Sequence, residues 1–254
     1  MLTASFELDI DSRELRTEDV GTSFYELRKY GGVHDGKSVS LIMLVVLDCL
    51  GPSHERDDAI AEVNAEVRRL AIAVHPNVVQ LIGFDPKLPF GFVVMEHWDI
   101  TLYDCIFRKE ELPASPAQIL FDIASGLSHI HSHDICISDE PSLLNPDNVA
   151  CCFSGRSAVF KLQLFDEDRL RYASWRNENC EKRIGPIVYM APEMLRDRVR
   201  GRAVDVWALG MVLVAVLTRR RPFAWITFAL PRRSRSRICG RAHLLARCLC
   251  SPTC

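Results

Sequence analysis

The sequence predicts an α+β fold in which strands come first along the chain and helices follow. Two apolar, strand-like segments, 27–30 and 39–47, flank a turn-forming cluster rich in glycine. In 57–73, and again in a longer segment that begins near Ser115, apolar residues recur at three- and four-residue steps. That spacing places them on one face of a helix. The segment 204–217 is apolar on all sides and predicts a helix that is buried all round.

Shorter elements connect these segments. Residues 92–95 predict a short strand, and 96–98 a link to the helix that starts at 101–104. Ser115 followed by Pro116 is the start signal of a long helix, because serine caps a helix N-terminus and proline fits its first turn. The helical part is therefore expected to begin soon after the link.

Composition indicates a soluble globular protein of one domain or two lobes. Of its 254 residues, 48% are hydrophobic and 25% charged, which is enough to build a sizeable core. The start has no basic and apolar leader pattern, and no apolar run reaches membrane-spanning length. We expect a cytoplasmic or nuclear location without a membrane anchor. The ten cysteines are accordingly expected to be reduced thiols.

The last part of the chain differs from the rest. The net charge is −2, yet residues 219–254 contain nine arginines and no Asp or Glu. We place a boundary after Phe223 and expect 224–254 to be a disordered tail rich in Arg and Cys. Three interpretations stay open: a gene-model artefact, a basic nucleic-acid or nuclear-import patch, and a zinc site. The zinc site would use four cysteines without the paired spacing of common zinc modules, namely Cys239, Cys248, Cys250 and Cys254.

Three motifs resemble those of protein kinase domains. Residues 185–193 read G-P-I-V-Y-M-A-P-E, as at the end of a kinase activation segment, and 205–210 read D-V-W-A-L-G, as at the start of the central helix of the second lobe. Residues 75–83 read H-P-N-V-V-Q-L-I-G, similar to the kinase link into the fourth strand. The resemblance covers residues 6–223. Within it, 6–21 is similar to the opening of tyrosine-kinase-like kinases.

The resemblance implies a bilobal fold with defined boundaries. A small β-rich first lobe would span about 1–95, a hinge about 96–98, and a mostly helical second lobe, lacking its last helices, about 99–223. In this family a buried arginine from those helices pairs with the glutamate at position 193. Its absence would leave either an unstable second lobe or an exposed Glu193, and it would also leave one side of the helix 204–217 uncovered.

Protein kinases bind ATP through a glycine-rich loop and a strand lysine, and hold Mg²⁺ with acids. Of the glycine loop only Gly21 is present. Isoleucine stands at position 42, where the family has the phosphate-binding lysine. Lys29 or Lys37 would have to replace it from a neighbouring strand or turn, although a solvated lysine is the more ordinary interpretation.

Glu66 matches the helix glutamate that pairs with that lysine in the family. Here it lacks that partner, and a local pair with Arg68 or Arg69 is the better interpretation. Leu164 occupies the position of the magnesium-binding aspartate, and leucine offers no oxygen ligand. Mg²⁺ binding is therefore doubtful. The nearby acidic run 166–168 is interpreted as a solvated loop.

The catalytic loop is altered. In the family the asparagine lies five positions after the catalytic aspartate, whereas Asp139 and Asn148 are nine positions apart. When the loop is aligned with the family motif from its N-terminal end, Asp139 is the base and Asn148 is displaced. When it is aligned from its C-terminal end, Asn148 fits and Leu143 occupies the base position. Because a general base must lie within hydrogen-bonding distance of the hydroxyl, a plain loop aspartate is the alternative for Asp139.

The hinge keeps its form. Met95 is the expected gatekeeper, and the Glu96 carbonyl and Trp98 amide are expected to face an adenine, contacts that need only backbone atoms. Weak ATP binding without metal is compatible with this hinge. Apolar residues expected to stack through both lobes are also present, at positions 70, 137 and 165.

These observations favour a catalytically impaired pseudokinase that acts as a scaffold or allosteric module, with other proteins as partners through the kinase-like surface. A divergent active Ser/Thr kinase using Asp139 is the second hypothesis. A product without a folded function, because its second lobe is incomplete, is the third. Nucleic acid is an unlikely partner outside the basic tail.

Overall fold

The computed structural model describes residues 29–46, 53–85, 90–109, 111–139, 144–155, 157–164, 187–197 and 199–223. Seven strands are formed: β1 Lys29–His34, β2 Lys37–Val46, β3 Leu81–Asp85, β4 Phe90–Glu96, β5 Ile100–Thr101, β6 Val149–Ser154 and β7 Ser157–Leu162. Five α-helices accompany them: α1 Ser53–Leu70, α2 Leu102–Phe107, α3 Pro116–Ser132, α4 Pro192–Asp197 and α5 Arg202–Thr218. Gly21 and the tail 224–254 lie outside the described residues.

The first part of the chain forms an antiparallel sheet in the order β1-β2-β4-β3, with α1 beside β3. Its first hairpin turns at Asp35 and Gly36, whose φ angles are 49° and 71°. Positive φ at both central residues is what a two-residue turn needs to match the strand twist, and Asp-Gly favours it. The predicted turn is therefore confirmed at Asp35 and Gly36, but the first four residues of the predicted cluster, 31–34, belong to strand β1.

The second part combines a small sheet, β5-β6-β7, with the remaining helices. Ser115 caps α3, since its Oγ accepts a hydrogen bond from the Gln118 amide at 3.2 Å, and Pro116 is the first helical residue. Thr101 and Asp104 cap α2 reciprocally. The order of the elements, a sheet first and helices second, confirms the α+β prediction. One apolar cluster runs through both parts.

The loop after α1 joins the two parts at β7. The Asn77 carbonyl accepts from the Leu162 amide at 2.9 Å, and the Val79 amide donates to the Leu162 carbonyl at 2.8 Å. Gly126 of α3 lies against this loop so closely that a Cβ there would be 2.4 Å from the Asn77 carbonyl oxygen. Only glycine permits this approach, which positions α3, the loop and β7 relative to one another.

Helix α5 is not buried all round, so that prediction was wrong. Val206 is 58% and Leu217 61% exposed, whereas Val204, Ala208 and Val212 are buried. An all-apolar sequence has no periodicity to show which face meets solvent. One side of α5 is therefore exposed in the part of the chain that the structure describes. Among the helices that the structure describes, none has the length and hydrophobicity that a bilayer crossing requires.

Candidate functional site

The candidate site is the junction between the two sheets, along the segment that connects β4 to β5. Asp99 anchors this segment to the second sheet: its amide donates to the Cys151 carbonyl at 3.2 Å, and its Oδ2 accepts from the Phe153 amide at 2.7 Å. Met95, the expected gatekeeper, is fully buried at the end of β4. The segment predicted as a hinge therefore does connect two separately built parts.

Glu96 is tied down on both its backbone and its side chain. Its amide donates to the Gln80 carbonyl at 2.9 Å, and its Oε2 accepts from the Gln80 amide at 3.3 Å. Its Oε1 forms an ion pair with Lys161 of β7, whose side chain is only 15% exposed. This pair fastens the second sheet to the last residue of β4 and restrains any opening between the two parts.

The Trp98 amide, the expected adenine donor, is directed at Ser40 of β2. Ser40 Oγ accepts from this amide at 3.4 Å and lies 3.4 Å from His97 Nδ1. Ser40 is fully buried, and the Trp98 side chain is 4% exposed. Strand β2 thus supplies an internal acceptor for the amide that is expected to bind an adenine.

The strand register relates the two candidate replacement lysines to position 42. Ile42 pairs with Val93 on one side and with Lys29 on the other. Directly opposed positions of an antiparallel pair belong to the same face of the sheet, so positions 29 and 42 share a face. Lys37 begins β2 at the exposed hairpin end, five positions away. Of the two candidate replacements, the register favours Lys29 and disfavours Lys37.

Glu66 forms the predicted local pair. Both of its carboxylate oxygens accept from Arg69, from Nε and from Nη2, at 2.8 Å each. The two side chains are 26% and 39% exposed, so this bidentate pair orders one face of α1 and contributes little to the free energy of unfolding. The interpretation of Glu66 as a residue with a local role is supported by this geometry.

The loop after α3 is organised by Asp205, in the first turn of α5. Its carboxylate is fully buried and accepts from the amides of Ile137 and Ser138, each at 2.9 Å. The same group lies 2.9 Å from His131 Nε2 at the end of α3. Ser138 Oγ then donates to the Gly201 carbonyl at 3.1 Å. This network fixes the backbone just before Asp139.

Of the two polar residues predicted for the catalytic loop, the structure describes the side chain of Asn148 only. Asp139 ends the 3₁₀ turn Ile137–Asp139, but its side chain lies outside the described residues, as does Leu143. Asn148 is buried, and its Oδ1 accepts from the Asn145 amide at 2.9 Å, which closes the cap of the short helix 146–148. The Asn148 oxygen therefore serves the local backbone.

The position of the metal-binding aspartate offers no ligand to a magnesium ion. Leu164 is 2% exposed and packs in the core there, and leucine has no oxygen atom in its side chain. At the second position, Asn148 Oδ1 already accepts the Asn145 amide at 2.9 Å. The acidic run 166–168, like Phe165, lies outside the described part of the chain.

Hydrogen bonding and burial shift the pKa values of two cysteines and one tyrosine. Cys105 of α2 and Cys151 of β6 are fully buried and share a thiol hydrogen bond. That bond lowers the pKa of Cys105 and, together with burial, raises the pKa of Cys151 far above its ordinary range. Burial also raises the pKa of Tyr189, which therefore remains a neutral phenol. The Cys151 thiol next to the junction is neutral as well.

Glu193 is half-buried in α4. The described residues form no ion pair with it, and its partial exposure lowers the cost that full burial of an unpaired carboxylate would carry. Glu193 is thus neither fully buried nor exposed, and neither of the two expected outcomes is confirmed.

Sequence reasoning missed three contributions to the site. Ser40 gave no signal, since its role depends on the pairing of β2 with β4. Lys161 lies 65 positions from Glu96, and nothing in the sequence relates them. Asp205 was recognised only as part of a motif. Its acidic charge inside an apolar helix was a signal that it binds buried donors.

Comparison with known proteins places these observations in a family. The sequence matches the protein kinase domain over residues 29–233. It is 31% identical over 182 residues to serine/threonine-protein kinase GRIK2 of Arabidopsis thaliana, covering 66% of this chain and 40% of that protein. Identity to serine/threonine-protein kinase chk-1 of Caenorhabditis briggsae is 32% over 163 residues, covering 61% and 31%.

A further relative is matched over a longer stretch. Serine/threonine/tyrosine-protein kinase HT1 of Arabidopsis thaliana is 26% identical over 216 residues, which cover 79% of this chain and 49% of that protein. The chain thus spans less than half the length of these three relatives.

Proposed function

This chain belongs to the protein kinase domain family, and within it we propose that it is a pseudokinase, a binding or scaffold module with at most weak, metal-independent nucleotide binding. The observation that carries the proposal is the state of the hinge, where Ser40 engages the Trp98 amide. Loss of the strand lysine and of the magnesium-binding aspartate supports it, because phosphoryl transfer depends on neutralising the phosphate charge.

Its partners are proposed to be other proteins that bind the kinase-like surface, in the cytoplasm or nucleus. The Lys161–Glu96 pair favours this role, since it holds the two parts in one arrangement. The Asp205 network fixes the loop before Asp139 within the second part. Membership of the tyrosine-kinase-like group is proposed from residues 6–21 alone.

We expect no phosphoryl transfer by the full chain. With γ-³²P-ATP, a generic protein substrate and either Mg²⁺ or Mn²⁺, incorporation should equal that of the Asp139→Ala variant. Turnover by the parent that Asp139→Ala abolishes would overturn the proposal. This assay measures phosphoryl transfer alone, so its outcome does not depend on identifying a partner protein.

A divergent active Ser/Thr kinase is the second candidate, and the Lys29–Ile42 register favours it. If Lys29 neutralised the phosphates, Lys29→Met would abolish any transfer, while Lys37→Met, at the exposed hairpin end, would leave the rate unchanged. If the two variants changed the rate of transfer equally, Lys29 would have no specific role in the reaction.

Ser40→Ala is expected to strengthen adenosine binding, because it frees the Trp98 amide from its internal acceptor. A single hydrogen bond contributes about 0.5 to 1.5 kcal/mol, so the dissociation constant should fall roughly two- to tenfold. Equilibrium titration with adenosine, without metal, measures this. Ser38→Ala, an exposed serine on the same strand, is the matched control and should have no effect. An unchanged or weaker affinity of Ser40→Ala would contradict the role given to Ser40.

A further inference from the structure

Three side chains of different chemistry converge where α3, the following turn and α5 meet. The ligand atoms of His131, Cys136 and Asp205 all lie within 4.8 Å of one another. Cys136 and Asp205 are buried and His131 is half-buried. The three come from the end of a helix, a turn and the first turn of another helix, so the fold assembles them.

We propose that His131, Cys136 and Asp205 form a zinc site. An imidazole nitrogen, a thiolate and a carboxylate are all zinc ligands, and the sulfur and nitrogen select zinc over magnesium or calcium. With one thiolate and one carboxylate, bound Zn²⁺ leaves a neutral cluster. Neutrality matters because an uncompensated charge in a buried position is costly.

The distances suit this site after a small adjustment. Zinc–ligand bonds of about 2.0 to 2.3 Å place the ligand atoms of a tetrahedral site roughly 3.3 to 3.8 Å apart. His131 Nε2 and Asp205 Oδ2 are 2.9 Å apart and have to separate by about 0.4 Å. The largest separation in the group is within 4.8 Å, so the sulfur has to approach by about 1 Å. The His131 side chain is 14% exposed, so solvent borders the site and can supply water as the fourth ligand.

The proton balance is simple. Zinc takes the lone pair of His131 Nε2, so the imidazole carries its proton on Nδ1, and the Cys136 thiol releases one proton to solvent on forming the zinc–sulfur bond. Asp205 keeps the amide donors of Ile137 and Ser138, because each of its oxygens has a further lone pair. The metal therefore adds to the backbone network without displacing it.

Bound zinc would tie the loop that precedes Asp139 to both helices. This inference does not depend on whether the chain transfers phosphate. The proposed zinc ligands are different residues from the four cysteines of the tail. The experiment must therefore distinguish metal binding by these ligands from metal binding by the tail.

Cobalt(II) is the probe, since its thiolate complexes absorb in the near ultraviolet and report tetrahedral geometry in the visible. The protein is the full chain with the four tail cysteines changed to serine, namely Cys239, Cys248, Cys250 and Cys254. We expect one equivalent of Co²⁺ to produce a thiolate charge-transfer band, and Zn²⁺ to displace it. Cys136→Ser should abolish the band and weaken Zn²⁺ binding at least tenfold. The matched control Cys152→Ser, a half-buried thiol of β6, should retain the parent's behaviour.

A band that persists in Cys136→Ser, or parent protein that gives no band, would overturn the site. If Cys136→Ser fails to fold, X-ray absorption at the zinc edge of the parent decides instead. One sulfur at about 2.3 Å with nitrogen or oxygen neighbours is expected. A shell with no sulfur, or with two or more, would contradict the proposal.

Discussion

Asp205→Ala is expected to cost about 3 to 5 kcal/mol of the free energy of unfolding, the penalty of leaving buried donors without their charged acceptor. The Asp205 carboxylate accepts from two backbone amides and contacts His131, all at 2.9 Å, and it is fully buried. Alanine leaves both amides without this acceptor in a buried position. Single domains are stable by about 5 to 15 kcal/mol, so much of the margin is lost.

Urea denaturation followed by circular dichroism measures this loss, with EDTA present so that the result reports hydrogen bonding rather than metal binding. Val206→Ala is the matched control, because Val206 is the next residue of the same helix and is 58% exposed. It should change stability by less than about 0.5 kcal/mol. An Asp205→Ala variant within about 1 kcal/mol of the parent would show that the network is not needed. A parent without cooperative unfolding would instead support the hypothesis of an unfolded product.

Gly126→Ala and Gly210→Ala are expected to have opposite effects although both lie inside helices. A Cβ at position 126 would be 2.4 Å from the Asn77 carbonyl oxygen, and that oxygen belongs to backbone already bonded to Leu162. The helix has to move away, which costs about 1 to 3 kcal/mol. At position 210 nothing lies within 4 Å of the added carbon, so alanine should stabilise α5 by about 0.5 to 1 kcal/mol.

Thermal unfolding of the two variants beside the parent provides the measurement, and each serves as the control for the other. Equal shifts in the same direction would mean that helix propensity alone decides both positions. That result would contradict the close approach of α3 to the loop at Asn77.

The local elements were predictable because their causes are local. Ser115 and Pro116 define the start of α3 through capping and backbone geometry, and the Asp35–Gly36 turn follows from the φ angles these residues tolerate. The local Glu66–Arg69 pair was predictable for the same reason, since the partners lie three positions apart on one helix. The exposed face of α5 was not predictable, because its sequence is apolar on all sides.

By itself the sequence determined the family, the order of strands and helices, and the loss of the strand lysine and of the aspartate at position 164. Each of these is a matter of residue identity and short-range spacing. Only the tertiary structure decided that Ser40 meets the Trp98 amide, that Lys161 pairs with Glu96, and that His131, Cys136 and Asp205 converge. These contacts join residues from 5 to 74 positions apart. Except within the turn after α3, they form when strand register and helix packing bring distant segments together, and the side chains concerned carry no signal of their partners.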